Sequence, residues 1–178
     1  MNNFATLMAF IAGFNKAPVS RLKHTMKELN GKTAKKMTDL EHIMTAEGSY
    51  KNYRTKIHTV NPPCIPYLGV YLLDLTYMED GNPNKIGNLI NFSKRRLIHT
   101  LIREVQQYQD QPFNFKVVDD LVDVLKRSLD FPILQDVTSA PQTSDEGVAF
   151  VSLKVYEDQM FEVSMQREPR GADRSTIL

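Results

Sequence analysis

The chain has 178 residues and a mass of 20.4 kDa, about one domain's worth, and with 42% apolar and 24% charged residues it is too apolar to be a disordered chain. A single cysteine, Cys64, excludes an intramolecular disulfide framework, paired-cysteine zinc sites and CxxC redox chemistry, and fits a reducing cytosol; no apolar run approaches the ~20 residues needed to span a bilayer. The net charge of +1 hides an asymmetry: residues 16–36 carry seven Lys or Arg against Glu28, whereas residues 119–162 carry ten acids against Lys126, Arg127 and Lys154, so the surface is either dipolar and able to steer a charged partner or simply two solvated helix faces.

Residues 2–14 set Phe4, Leu7, Met8, Ile11 and Phe14 near helical spacing. No Lys or Arg precedes Lys16, so the stretch reads as a core-facing helix and not as a signal peptide. An amphipathic stripe directly after Met1 gives the expectation that the chain begins inside a domain. Pro18 opens a second helix that Asn30-Gly31 stops. A third carries Met37, Leu40, Ile43 and Met44 as far as Gly48-Ser49, and a fourth carries Tyr50, Tyr53, Ile57 and Val60. Asn61 to Pro66 cannot be helical, because three prolines remove donors and push their predecessors out of the α region.

Residues 67–79, YLGVYLLDLTYME, have apolar groups around the whole helix axis, interrupted only by Asp74 and Thr76. Such a helix is buried or inserted into something. Gly81-Asn82-Pro83 ends it, and residues 89–110 form a long amphipathic helix, so the two read as an αα-hairpin. Residues 116–130 predict another helix, 135–147 a loop, and 148–155 either a strand or a helix. A short helix runs through Met160, Phe161 and Met165, and the tail 171–178 is expected to be disordered. The fold class is all-α: a compact multi-helix domain with a protruding antiparallel helical hairpin.

The chemistry-bearing residues form no reactive set. His24, His42, His58 and His99 lie on separate predicted helices with no pair at ligand spacing, and there is no HExxH, no phosphate loop and no dinucleotide loop. Cys64, set among Pro63 and Pro66, reads as a packed thiol. Glu79-Asp80 read as a solvated helix end. Lys94-Arg95-Arg96 could meet phosphate but read better as a first-turn surface. Neither a metal nor a cofactor is expected, and no nucleic-acid partner. What stands out is the apolar hairpin, which suits a protein that inserts an element into a partner.

Several long stretches, in order, resemble one family. NPPCIPYLGVYLLDLTYMEDGNPN (Asn61 to Asn84) and LINFSKRRLIHTLIREVQQYQDQPF (Leu89 to Phe113) look like the catalytic domain of Ras-family guanine-nucleotide exchange factors. The opening Asn2 to Thr25, the segment Tyr50-Lys51-Asn52-Tyr53-Arg54 and the closing Ser164 to Arg170 are similar to that family too. The resemblance implies a helical domain that expels GDP from a Ras-like small GTPase of Ras, Rap or Ral type, with a hairpin displacing switch 1 and a hydrophobic surface gripping switch 2. What the resemblance implies is an exchange factor without covalent chemistry. By the same resemblance, Thr76 approaches the α-phosphate site, Asp80 the magnesium site, and Asn82 hydrogen-bonds displaced switch 1. Met8, Asn15, Tyr50, Tyr67, Leu73, Asp74 and Tyr77 fall on GTPase-binding positions. Leu73 stands where many members have Thr, and Asp80 where Glu is common. The family domain normally has several helices before the position of Asn2, so residues 1–170 correspond to its C-terminal part, and the stripe Phe4, Leu7, Ile11 is expected to lie uncovered. The alternative is a catalytically silent helical module that binds a GTPase without exchange. The implied location is cytoplasmic, with recruitment to the inner face of the plasma membrane.

Overall fold

The structure, a computed structural model, describes residues 2–129, 146–171 and 173. In chain order the elements are β1 (Asn2–Asn3), α1 (Phe4–Phe14), α2 (Ala17–Ser20), α3 (Lys23–Lys27), α4 (Gly31–Ile43), α5 (Glu47–Ile57), β2 (Cys64–Ile65), α6 (Leu68–Gly81), β3 (Lys85–Ile86), β4 (Leu89–Ile90), α7 (Phe92–Gln107), α8 (Asp119–Leu129) and α9 (Glu146–Arg167). Among the described residues the fold is all-α apart from two-residue strands. It divides into two units, Met1–Gly13 with Gly31–Asn114, and Phe14–Asn30 with Phe115–Leu178.

In the first unit, the core gathers Phe4, Met44, Tyr53, Ile57, Cys64 and Val70, with Leu7, Met8, Ile11, Tyr50, Tyr67 and Tyr108 packed against it. Asn3 starts α1, its side-chain oxygen accepting from the Thr6 N–H at 2.9 Å, as an N-cap does. The short parallel pairing of β1 with β2, Asn2 opposite Cys64 and Asn3 opposite Ile65, brings the start of α1 to the proline-rich segment. Phe4 then meets the Tyr53 ring edge-on at 5.3 Å. The expectation of an uncovered stripe is corrected here: Phe4 is buried and Leu7 and Ile11 are half-buried, because α5 and the segment around Cys64 supply the cover.

Helices α6 and α7 run antiparallel. The Tyr71 hydroxyl donates to Glu104 at 2.9 Å near one end, and Lys94 pairs with Glu79 at 2.6 Å near the other. The all-round apolar pattern of α6 resolves into two faces. Tyr71, Leu75 and Met78 are buried or half-buried on one, while Leu72, Leu73 and Tyr77 are exposed on the other. The second arm starts later than the spacing predicts. Residues 85–90 form an antiparallel ribbon, Lys85 opposite Ile90 and Ile86 opposite Leu89, turning at Gly87 with φ +60°. Asn91 then caps α7, accepting from the Lys94 N–H and donating to the Pro83 carbonyl.

In the second unit the single helix expected from Pro18 to Asn30 is broken into α2 and α3 around Arg21-Leu22. Two side-chain demands break it. The Arg21 guanidinium donates to the carbonyls of Ser164 and Glu168 at the end of α9, the first of which also accepts from the Glu168 N–H, and lies over the Phe161 ring at 5.6 Å. The Glu168 carboxylate in turn accepts from the Thr25 N–H and hydroxyl, both at 2.7 Å, and from the His24 N–H, and so caps α3. An ion pair between Lys16 and Glu157 joins the basic and acidic segments of the sequence. Residues 148–155 belong to α9, which is far longer than the short helix predicted around Met160. Helix α8 falls within the predicted 116–130; Asp130, most of the predicted 135–147 loop and most of the tail from residue 171 lie outside the described residues.

Burial pushes the Glu168 carboxyl up, but the Thr25 hydroxyl, the Thr25 and His24 amides and the His24 charge together hold it below the usual range. A carboxyl depressed on folding contributes stability that is present above its unfolded-state pKa and lost as pH falls through the folded one. Acid should therefore loosen α3 from α9, and Glu168→Gln should flatten that part of the profile. Melting temperature measured from pH 7 down to pH 3 on both proteins checks this, and parallel profiles would contradict it.

Candidate functional site

Four of the predicted site residues share one face of α6. Leu73, Thr76, Tyr77 and Asp80 are spaced at i, i+3, i+4 and i+7, so they stand in a row, and all are exposed. The opposite side of the helix is fixed: Tyr71 is buried, Leu75 and Met78 are half-buried, and the Tyr71–Glu104 bond ties the helix to α7. Burial, followed by its hydrogen bonds to Tyr108 and Glu104, holds the Tyr71 hydroxyl far above its ordinary range, so it stays a proton donor. The row combines apolar area with one carboxylate. Thr76 donates its hydroxyl to the Leu72 carbonyl at 3.0 Å, leaving its oxygen lone pairs facing outward.

The end of the row is built around a lysine that sequence reasoning assigned to the surface. Lys94 is 1% exposed. Its ammonium donates to the carbonyls of Glu79 at 2.9 Å and Asn82 at 2.8 Å and pairs with the Glu79 carboxylate. A cation at the C-terminal end of α6 satisfies carbonyls that have no partner within the helix and complements the helix dipole. The hydrogen bond from Lys94 holds the Glu79 carboxyl below its usual range. Asn82, half-buried at the C-cap, donates to the Met78 carbonyl at 3.1 Å. The signal that could have marked this corner is Asn91, an N-cap residue directly before the amphipathic run, which places Lys94 in the first turn of α7.

A second group of predicted residues forms a tyrosine floor at the other end of α6. Tyr67 is the N-cap, and its N–H donates to the Tyr53 hydroxyl at 2.8 Å. The Tyr67 ring lies 6.5 Å from that of Tyr53 and 6.1 Å from that of Tyr50. Burial pushes the Tyr53 hydroxyl up to about 12. Gly69 makes room for the Tyr67 ring, since a Cβ there would sit 2.5 Å from its Cζ and hydroxyl oxygen. Met8 packs half-buried against the same core. Asn15 is exposed just beyond α1 and belongs to the second unit. Cys64 is buried, and burial pushes its thiol up, as suits a packed group.

Tyr50 is presented by unusual backbone. Gly48, Ser49 and Tyr50 all adopt left-handed geometry, with φ of 58°, 56° and 63°. For a residue with a Cβ this costs roughly 1–2 kcal/mol, and such strain persists only where the surroundings enforce it. Arg54 lies beneath the turn: Nε donates to the Ser49 carbonyl at 2.8 Å, and the two Nη groups each reach an Asp74 oxygen at 2.7 Å. Donating to the Asp74 carboxylate raises the Arg54 guanidinium above its ordinary value. Asp74, predicted as a partner contact, is therefore engaged by Arg54 within the chain. Nothing in its periodicity marked it, since the pairing crosses from α5 to α6.

An apolar but open helix face on a pinned support, beside a cluster of aromatic rings, is the geometry that recognition by a helix requires. The class it defines is a helical domain with one exposed apolar helix face. Residues 1–96 match the RasGEF domain, and the chain belongs to that family. It is similar to Ras guanine nucleotide exchange factors of Dictyostelium discoideum. It is 40% identical to factor K over 179 residues, all of this chain and 10% of that protein. It is 42% identical to factor R over 98% of this chain and 9% of that protein, and 39% identical to factor A over the whole chain and 28% of that protein. The chain thus spans between about a tenth and somewhat over a quarter of these relatives' lengths.

Proposed function

We propose that residues 1–170 are the C-terminal part of a RasGEF catalytic domain, and that the protein promotes GDP release from a Ras-like small GTPase of Ras, Rap or Ral type by placing the α6–α7 hairpin beside the nucleotide site. The observation that carries this reading is the exposed row Leu73, Thr76, Tyr77 and Asp80 on a helix whose other face is fixed. In this reading Thr76 occupies the α-phosphate site, Asp80 enters the magnesium site, and Asn82 bonds displaced switch 1. Met8, Asn15, Tyr50, Tyr67, Leu73, Asp74 and Tyr77 contact the GTPase. The work is done by differential affinity: a factor that binds the nucleotide-free GTPase better than the loaded form shifts the population toward nucleotide release. An anion beside the magnesium site competes with phosphate for the cation, and the helix excludes the nucleotide sterically. The protein acts in the cytoplasm, recruited to the inner face of the plasma membrane; among the described residues no helix is long and apolar enough to cross a membrane.

Release of fluorescent GDP from a panel of Ras, Rap, Ral and Rho GTPases, with and without this protein, tests the proposal. Acceleration for at least one member is the expected result. Binding of a nucleotide-free GTPase without release would favour the silent-module alternative. Asp80→Ala should slow exchange only about fivefold, because loss of the charge removes one partly solvated interaction while the helix still fills the site. An unchanged rate would remove the electrostatic part of the mechanism.

A further inference from the structure

We propose that Arg54 is a positioning residue for GTPase docking: its guanidinium locks the left-handed turn that presents Tyr50 and fastens that turn to α6 through Asp74. The inference rests on the exchange reading above, which makes Tyr50 a partner contact. Arg54 itself need not touch the partner.

Three observations meet here. Consecutive left-handed residues are held where Ser49 and Tyr50 carry side chains that disfavour them, so something outside the turn must enforce the geometry. Within the turn, the support is thin. The Tyr50 N–H reaches the Ala46 carbonyl at 3.4 Å, while Arg54 Nε holds the central Ser49 carbonyl at 2.8 Å. The same planar group grips both Asp74 oxygens at 2.7 Å, one residue on from Leu73, the first member of the exposed row on α6. A guanidinium can do both tasks at once because its donors are fixed in a fork; an ammonium is a point charge and must choose. Asp74, placed among the partner contacts, thereby has a second task. The pair links the tyrosine pair Tyr50–Tyr67, whose rings are 6.1 Å apart, to the first arm of the hairpin. The floor and the wedge are then presented to a GTPase as one piece.

The test is a double-mutant cycle on the full chain, read as affinity for nucleotide-free Ras and as GDP release rate. Arg54→Lys keeps the charge and the Asp74 pairing and gives up the Ser49 carbonyl. It is expected to weaken binding about tenfold in the wild-type background and less than about twofold in the Tyr50→Ala background, because its effect passes through Tyr50. Equal losses in both backgrounds would overturn the proposal. Amide hydrogen exchange on the protein alone gives an independent reading: Arg54→Lys should speed exchange at residues 48–50 selectively, and unchanged exchange there overturns the positioning role. A wild-type chain that binds no nucleotide-free GTPase from the panel overturns the exchange reading itself, a result distinct from additive losses in a chain that does bind.

Discussion

Replacing Tyr67 with alanine should weaken binding of the nucleotide-free GTPase by roughly 30- to 1,000-fold, equivalent to ~2–4 kcal/mol, and nearly abolish exchange. Tyr67 sits where α6 begins, its ring tilted against Tyr50 and edge-on to Tyr53. Its anchoring hydrogen bond to the Tyr53 hydroxyl comes from the backbone, so truncation of the side chain leaves that bond in place. The ring is only half-buried within the chain, and a half-buried aromatic with a supported base is well placed to complete its burial against a partner. Gly69→Ala separates the two roles of this ring. The new methyl would stand 2.5 Å from the ring's outer atoms and force it aside, while alanine within a helix is favoured over glycine by ~0.5–1 kcal/mol. Exchange should therefore fall with the melting temperature held. Normal affinity in a stably folded Gly69→Ala or Tyr67→Ala protein would remove Tyr67 from the interface.

Lys94→Met should destabilise the first unit by about 2–4 kcal/mol, the range for removing a buried charged donor from the acceptors it serves. Methionine keeps most of the apolar stem, so the loss reports the ammonium and not the packing. Without it the Glu79 and Asn82 carbonyls at the end of α6 lose their donor, and the Glu79 carboxyl loses the bond that holds it below its usual range. Chemical denaturation monitored by circular dichroism measures the first effect. The second has a sign: a depressed carboxyl contributes stability above its unfolded pKa and loses it as pH falls through the folded one, so the wild-type protein should show an acid-sensitive component that Lys94→Met lacks. A variant as stable as wild type would mean that water replaces the ammonium at little cost.

The same corner shows where reading along the chain runs out. Lys94, Arg95 and Arg96 are indistinguishable as sequence, three bases at a helix start, yet Lys94 is 1% exposed and its neighbours are exposed. The difference arises from register: Asn91 caps the helix, and the third residue on points back at the end of α6. Arg21 is a comparable case. In sequence it lies mid-helix, whereas in the fold it serves the carbonyls of Ser164 and Glu168, more than 140 positions away, and α2 and α3 separate around it.

The sequence by itself determined the helical class, because apolar residues at 3.6-residue spacing recur along the chain and prolines and glycines mark most of the breaks. It determined the family as well, since the long stretches around Asn61 to Phe113 are specific, and it singled out α6 as a helix too apolar for an ordinary surface. Periodicity is local, and that is the reason it succeeds for elements. Which side of α6 faces the core was decided only by the tertiary structure, through Tyr71, Leu75 and Met78 on one side and Leu72, Leu73 and Tyr77 left open on the other. So were the ribbon at residues 85–90, the left-handed turn at Gly48 to Tyr50, the Arg54–Asp74 clamp and the Glu168 cap of α3. Each depends on a hydrogen bond or packing contact between segments distant in the chain, where free energy is set by geometry in space and leaves no period in the sequence.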